Sequence, residues 1–217
     1  MKSRPIVIDM DDLVDAVMVQ EHKGQQVSLV DFLGEWKERV PPLKATLFTI
    51  PNRTSDATIK AMKDLGDWVA LAPHGHEHCR GECLSWTSEE AIDKITMARD
   101  RGIDAPVFRA PAWLLDGEVY EACRQLDYVV ASHQLYRIPS TGVREYVYNL
   151  HMGVDPPRTK RVHGHLTPVC DNWYLDMHAN GHLPKDPKGD YMFPWEVATI
   201  IPATVTVPTG VALEPVE

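Results

Sequence analysis

Between Pro5 and Ala131 short apolar runs alternate with segments of helical period, and this alternation restricts the possible folds more than any other feature. Pro5 to Met10 (PIVIDM), Ala45 to Ile50 (ATLFTI), Trp68 to Ala72 (WVALA), Pro106 to Arg109 (PVFR) and Tyr128 to Ala131 (YVVA) are too short for helices. They are rich in Val, Ile and aromatic residues and read as buried strands. Ser28 to Arg39 opens on a capping residue, spaces Leu29, Phe32, Leu33 and Trp36 at helical period and stops before Pro41-Pro42. Ser55 to Leu65, Thr87 to Arg101 and a stretch near Gly117 to Leu126 also read as helices. Thr87 or Ser88 can cap the third of these, Glu89 and Glu90 suit its first turn, and Gly102 ends it. Tyr146 to Leu150 and Lys160 to His163 are further strand candidates.

Strand and helix in turn predict a mostly parallel α/β fold. Periodicity alone does not separate an open sheet from a barrel, but the polar clusters do lean. They follow directly after the first, third and fourth strands and after the Lys160 strand. In a βα barrel such strand ends converge on one face. A chain of 217 residues suits one domain, 1–217, and can bury a core without disulfides or a structural metal. Prolines and short β runs such as Thr204 to Val207 predict that 184–217 is an extended segment packed on that domain.

The formal net charge of −9 argues against wrapping nucleic acid, which needs a basic face, and against an anionic membrane surface. Neither a signal-peptide-like stretch nor a bilayer-spanning run is found, so the expected location is cytoplasmic. The four cysteines, Cys79, Cys83, Cys123 and Cys170, read as reduced thiols.

Four groups of residues can carry chemistry. Asp9, Asp11 and Asp12 end the first strand. Adjacent carboxylates point opposite ways along a strand but diverge at a bend, so one can ligate a metal while the other acts as a base. Alternatively an aspartate caps a helix starting near Leu13. The second group, Pro73-His74-Gly75-His76-Glu77-His78-Cys79, puts three histidines into five residues after a buried strand. His74 and His78 are four apart, so one helical turn would put them on one side. An Asp-His-His set leaves a coordination position open, as a catalytic rather than structural site does. Cys79 and Cys83 beside the histidines offer a closed structural zinc site instead. The third group is Phe108-Arg109-Ala110-Pro111-Ala112-Trp113, whose arginine can hold a carboxylate such as Asp11. His163-Gly164-His165 supplies a candidate general acid. Ser132-His133, His151, His178 and His182 receive no role.

In order and spacing these residues resemble the polysaccharide deacetylase (NodB-homology) family. Met10-Asp11-Asp12-Leu13 resembles its first motif, His74-x-x-x-His78 its second and Phe108-Arg109-Ala110-Pro111 its third. The resemblance implies a distorted (β/α)7 barrel. It makes Asp11 the catalytic base and Asp12, His74 and His78 ligands of one divalent ion, zinc, cobalt or nickel. Arg109 would orient the base, His163 or His165 would be the general acid, and Pro111 and Trp113 would line the substrate groove. The implied substrate is an N-acetylated sugar or polysaccharide. Leu13 and Gly75 depart from the family pattern, and its fourth motif has no clear counterpart. The implied relative is an intracellular or phage-type one. Competing readings are a carbohydrate-binding relative without activity, in which Trp86, Trp113, Trp173 and Tyr174 stack on sugar rings, and a metal-dependent phosphoesterase.

Overall fold

The computed structural model describes residues 5–22, 24–133, 143–148, 154–155, 159–166 and 187–200. In chain order the elements are β1 (Pro5–Leu13), β2 (Val19–His22), β3 (Gln25–Ser28), α1 (Leu29–Arg39), β4 (Ala45–Thr49), α2 (Asp56–Lys63), β5 (Val69–Pro73) and α3 (Ser88–Asp100). After these come β6 (Val107–Phe108), α4 (Gly117–Gln125), β7 (Val129–His133), β8 (Glu145–Tyr148), β9 (Val154–Asp155), β10 (Thr159–His165), β11 (Asp190–Tyr191) and α5 (Pro194–Ile200).

The fold is a curled parallel sheet of distorted (β/α)7 type. One sheet runs β5-β4-β1-β10-β9, a second runs β6-β7-β8, and a parallel bridge between His74 and Arg109 joins them. The seven staves β10, β1, β4, β5, β6, β7 and β8 therefore all run parallel. Among the described residues no pairing closes β8 onto β10.

Strand alternation sorts the side chains. Ile6, Ile8 and Met10 of β1 face outward and pack with Leu29, Leu33 and Trp36 of α1 and Met62 of α2. Phe108 and Val130 face outward against α3 and α4. The opposite face carries Val7, Phe48, Ala72, Val107, Val129 and Ala131, which fill the interior. Continuing each interior row toward its strand's C-terminal end gives Asp9 and Asp11 on β1, His74 after β5 and Arg109 after β6. The lower interior is apolar and its upper rim is polar, which is the gradient a βα barrel needs to build a site at that rim.

The helices start where capping chemistry allows. Ser28, Ser55, Thr87 and Asp116 each accept a backbone N–H at the start of α1, α2, α3 and α4. Thr87 and Glu90 form a reciprocal capping box. Three findings differ from the sequence expectations. The helix offered as one alternative near Leu13 is absent; β1 continues to Leu13, and the short 3-10 turn Asp15–Val17 that follows has no side-chain cap. The hairpin β2–β3, turning at Gly24, carried no apolar run long enough to announce it. Within 184–217, expected to be extended, Pro194 opens α5, consistent with the tolerance of proline at a helix's first position. Val197 of α5 enters the interior core. Lys44, just before β4, pairs with Glu196 at 2.7 Å, and Met192 N–H donates to Ile6, so α5 sits at the end opposite the polar rim. Thr204 to Val207, His151, Cys170, Trp173, Tyr174, His178 and His182 lie outside the described residues. No helix among the described residues is long and apolar enough to cross a membrane.

Candidate active site

The two adjacent aspartates both reach the rim because β1 is irregular there. Its register against β4 slips between Met10 and Leu13, and Asp12 has φ 71°. A bulge inserts a residue and re-aims its side chain, and aspartate is one of the few L residues that tolerates this left-handed backbone. Asp11 keeps the interior phase of Val7 and Asp9, while Asp12 is turned toward His74 and His78. Both carboxylates are buried.

Asp12 Oδ1 lies 3.4 Å from His74 Nε2 and 2.8 Å from His78 Nε2. Ligand bonds of about 2.0–2.1 Å at tetrahedral angles separate donor atoms by about 3.3 Å, so these three atoms suit a single small divalent ion. The tautomer agrees. His74 Nδ1 donates to the Arg109 carbonyl at 3.0 Å, which leaves the Nε2 lone pair facing Asp12. Burial would raise the Asp12 pKa, but the His165, His74 and His78 imidazoles gathered around its carboxylate hold it below the ordinary value.

His74 and His78 do not share a helical turn. They lie on a loop wound around the Glu82 carboxylate, which accepts the backbone N–H groups of His76 and Glu77 at 3.1 Å each and of His78 at 3.0 Å. Nothing in the spacing of Glu82 signals this. Gly75 has φ +65°, and a Cβ there would collide with Glu82 and Pro111, so glycine at this departure from the family pattern is a packing requirement. His76 lies outside both donor groups, near Glu77.

Arg109, nearly fully buried, donates through Nη1 to Asp9 Oδ1 at 2.9 Å and to Asp11 Oδ1. Its guanidinium carbon sits 3.7 Å from the Phe48 ring centroid and 4.4 Å from that of Trp113, which fixes its plane. Ala112 and Trp113 both have positive φ, and this turns the half-buried indole back over Arg109 and toward His163. Pro111 is buried against the Gly75 turn. Burial pushes the Asp11 carboxyl up, and Arg109, His74 and His163 together outweigh it, so the group stays below its usual value and ionised.

β10 runs beside β1 with Asp9 opposite His163 and Asp11 opposite His165. His163 Nδ1 donates to Asp9 Oδ1 at 2.5 Å, and its Nε2 lies 3.8 Å from Asp11 Oδ2. His165 Nδ1 stands 3.3 Å from Asp12 Oδ2, and its side chain is 45% exposed against 14% for His163. The hydrogen bond to Asp12 raises the His165 pKa. Among the described residues, the donor groups close enough to share an ion are Asp12, His74, His78 and Asp11, His163, His165. None of the described cysteines joins them. Cys79 is exposed, and Cys83 is buried with its thiol pushed well up by burial. Trp86 is core, tilted on Phe108, and Ser132 lies outside the rim beside Glu145, which also accepts from Tyr120. Sequence reasoning named Asp9 in the acidic group without a role, although its phase with Asp11 already placed both on one face.

No family model matches the sequence, and no curated protein matches it. Solved structures do share its shape. A Streptococcus mutans CE4 esterase aligns at TM-score 0.58 with 12% identity, covering 88% of this chain and 86% of that one. A family 4 carbohydrate esterase from Streptomyces lividans aligns at 0.51 with 11% identity, covering 82% and 90%. The fold is that of the CE4 esterases. A 4-alpha-glucanotransferase from Thermococcus litoralis also aligns, at 0.59 and 11% identity, over 93% of this chain and 41% of its own. Shape at this level of identity therefore fixes the CE4-type barrel, and the chemistry has to be argued from the rim.

Proposed function

We propose that the chain is a divalent-metal-dependent hydrolase that removes acetyl groups from an N-acetylated sugar or polysaccharide. The observation that carries this reading is the juxtaposition of the three-donor set Asp12, His74 and His78 with an ionised carboxylate, Asp11, locked by Arg109. A donor set of two imidazoles and one carboxylate suits zinc, with cobalt or nickel as alternatives. A carboxylate held as low as Asp11 is ionised at neutral pH but weakly basic, and a Lewis acid bound by Asp12, His74 and His78 would make attacking water easier to deprotonate and polarise the acetyl carbonyl.

Asp11 takes the proton from the attacking water, and Arg109 keeps its carboxylate ionised and aimed. His165 returns a proton to the departing nitrogen. Its ring is the more exposed of the two histidines, whereas both ring nitrogens of His163 face carboxylates. Trp113 and Pro111 border the approach to the rim. The Streptomyces lividans enzyme was solved with acetate, the acid that this reaction would release.

The second donor group, Asp11, His163 and His165, favours one other reading, a phosphoesterase with two metals. Against it stands Arg109, a permanent cation already bonded to Asp11. Elemental analysis and acetate release from an N-acetylated oligosaccharide test both. Wild type should hold about one ion per chain by the three-donor argument, and Asp12→Ala should lose it. Asp11→Asn should keep the ion and lose roughly 100- to 10,000-fold in turnover, as for removal of a general base. Full turnover in Asp11→Asn with ion and fold intact sinks the deacetylase reading. Two ions with hydrolysis of an aryl phosphate would replace it with the phosphoesterase.

A further inference from the structure

We infer that Asp9 is a positioning residue that holds Arg109 and His163, the two groups flanking the base Asp11; this rests on the deacetylase reading above. Asp9 is fully buried, two residues before Asp11 on the same face of β1. Its Oδ1 accepts from Arg109 Nη1 at 2.9 Å and from His163 Nδ1 at 2.5 Å. Arg109 Nη1 also donates to Asp11 Oδ1, and His163 Nε2 faces Asp11 Oδ2 at 3.8 Å. Arg109 thus bonds one oxygen of the base, His163 stands beside the other beyond hydrogen-bond distance, and Asp9 anchors both groups. The arrangement is written into the strand register, which sets Asp9 beside His163 and Asp11 beside His165.

A charge buried this deeply persists only when it is paired and hydrogen-bonded. Asp9 also restrains the two partners of Asp11, adding to the ring contacts that hold Arg109. Without it the His163 ring loses the acceptor that sets its plane, and Arg109 keeps one fewer carboxylate at Nη1. Asp11 would remain present but imprecisely aimed, and small misplacements of a catalytic group cost rate rather than binding. Asp9 touches no substrate in this scheme; it acts through Asp11.

The test compares wild type, Asp9→Asn, Asp11→Asn and the double variant, with His163→Gln as a second way to cut the clamp at a partly exposed position. Kinetics on an acetylated substrate are combined with metal content and proton NMR. Asp9→Asn should retain its ion and its KM and lose on the order of 100-fold in kcat. In the Asp11→Asn background the same change should cost nothing further, because the group it positions is gone. His163→Gln should behave like Asp9→Asn. Wild type should show a slowly exchanging proton line downfield of the amides from the short His163–Asp9 bond, absent from Asp9→Asn and His163→Gln. Equal losses in both backgrounds, an unchanged kcat in Asp9→Asn, or no such line in wild type overturns the clamp. A line that behaves as expected in a wild-type protein that releases no acetate overturns the deacetylase reading instead and leaves the pairing standing.

Discussion

A Cβ on Gly75 would lie 2.1 Å from Glu82 Oε1 and 2.7 Å from Pro111 Cγ, on backbone with φ +65°. Glu82 is not a side chain that can swing aside, since its two oxygens hold three consecutive N–H groups of the ligand loop. Gly75→Ala should therefore destabilise the fold by roughly 1–3 kcal/mol, the range for strained left-handed backbone. It should also weaken metal affinity by about 10- to 100-fold, as loss of supporting contacts around ligands does. Titration with zinc, read beside thermal unfolding, checks both effects. Glu82→Ala should reproduce the affinity loss without the backbone penalty; unchanged affinity in both variants would show that the loop holds its ligands by other means. At this scale the sequence exposed Asp12, His74, His78 and Arg109, because acid pairs and clustered histidines at strand ends are uncommon for any structural reason. It did not expose Glu82, whose partners are backbone groups and carry no residue-type signature. The histidine spacing suggested a helical turn, and only the fold reveals a loop wound on a carboxylate.

At the scale of elements, local chemistry set most of what could be read. α1 to α4 begin at Ser28, Ser55, Thr87 and Asp116, each of which satisfies N–H groups that a helix start leaves unpaired. The α3 start is the most completely capped, with Glu90 returning a bond to the Thr87 N–H at 2.9 Å. Thr87→Ala should cost about 1 kcal/mol, which in a chain of this size lowers the unfolding midpoint by roughly 2–4 °C. Metal content and turnover should not change, since α3 packs on the outer face of the staves; a drop in either would mean that α3 is coupled to the rim. The strands with apolar runs were legible, and their alternation with helices pointed to a mostly parallel sheet. The bulge of β1 was not legible. Met10-Asp11-Asp12-Leu13 reads equally as a strand end or a helix cap, and the choice is made by β4, whose register slips beside it. The same holds for β2 and β3, short strands of mixed polarity whose pairing depends on a turn at Gly24 rather than on burial.

At the scale of the molecule, the rim is assembled from parts far apart in sequence. The three candidate metal donors come from the β1 bulge and the loop after β5, with β4 between those staves, and β10 flanks them from the other side of β1. Their neighbours supply the restraint, since the Arg109 carbonyl aims His74 and the Arg109 guanidinium joins Asp9 and Asp11. Without an ion, the buried Asp12 carboxylate is restrained by its histidine neighbours, His165 at Oδ2 and His78 and His74 beside Oδ1. An ion would replace those weak restraints with bonds that cross the sheet, and it would bind the folded chain far better than the unfolded one. Free metal at 100 times its dissociation constant then stabilises the fold by about 2.7 kcal/mol, which for a domain of this size raises the midpoint by roughly 5–11 °C. Thermal unfolding with excess zinc and with a strong chelator should differ by that amount in wild type. In Asp12→Ala the two traces should coincide, because the donor that faces both histidines is gone. A shift that survived in Asp12→Ala would place the stabilising ion elsewhere and remove the rim's claim to it.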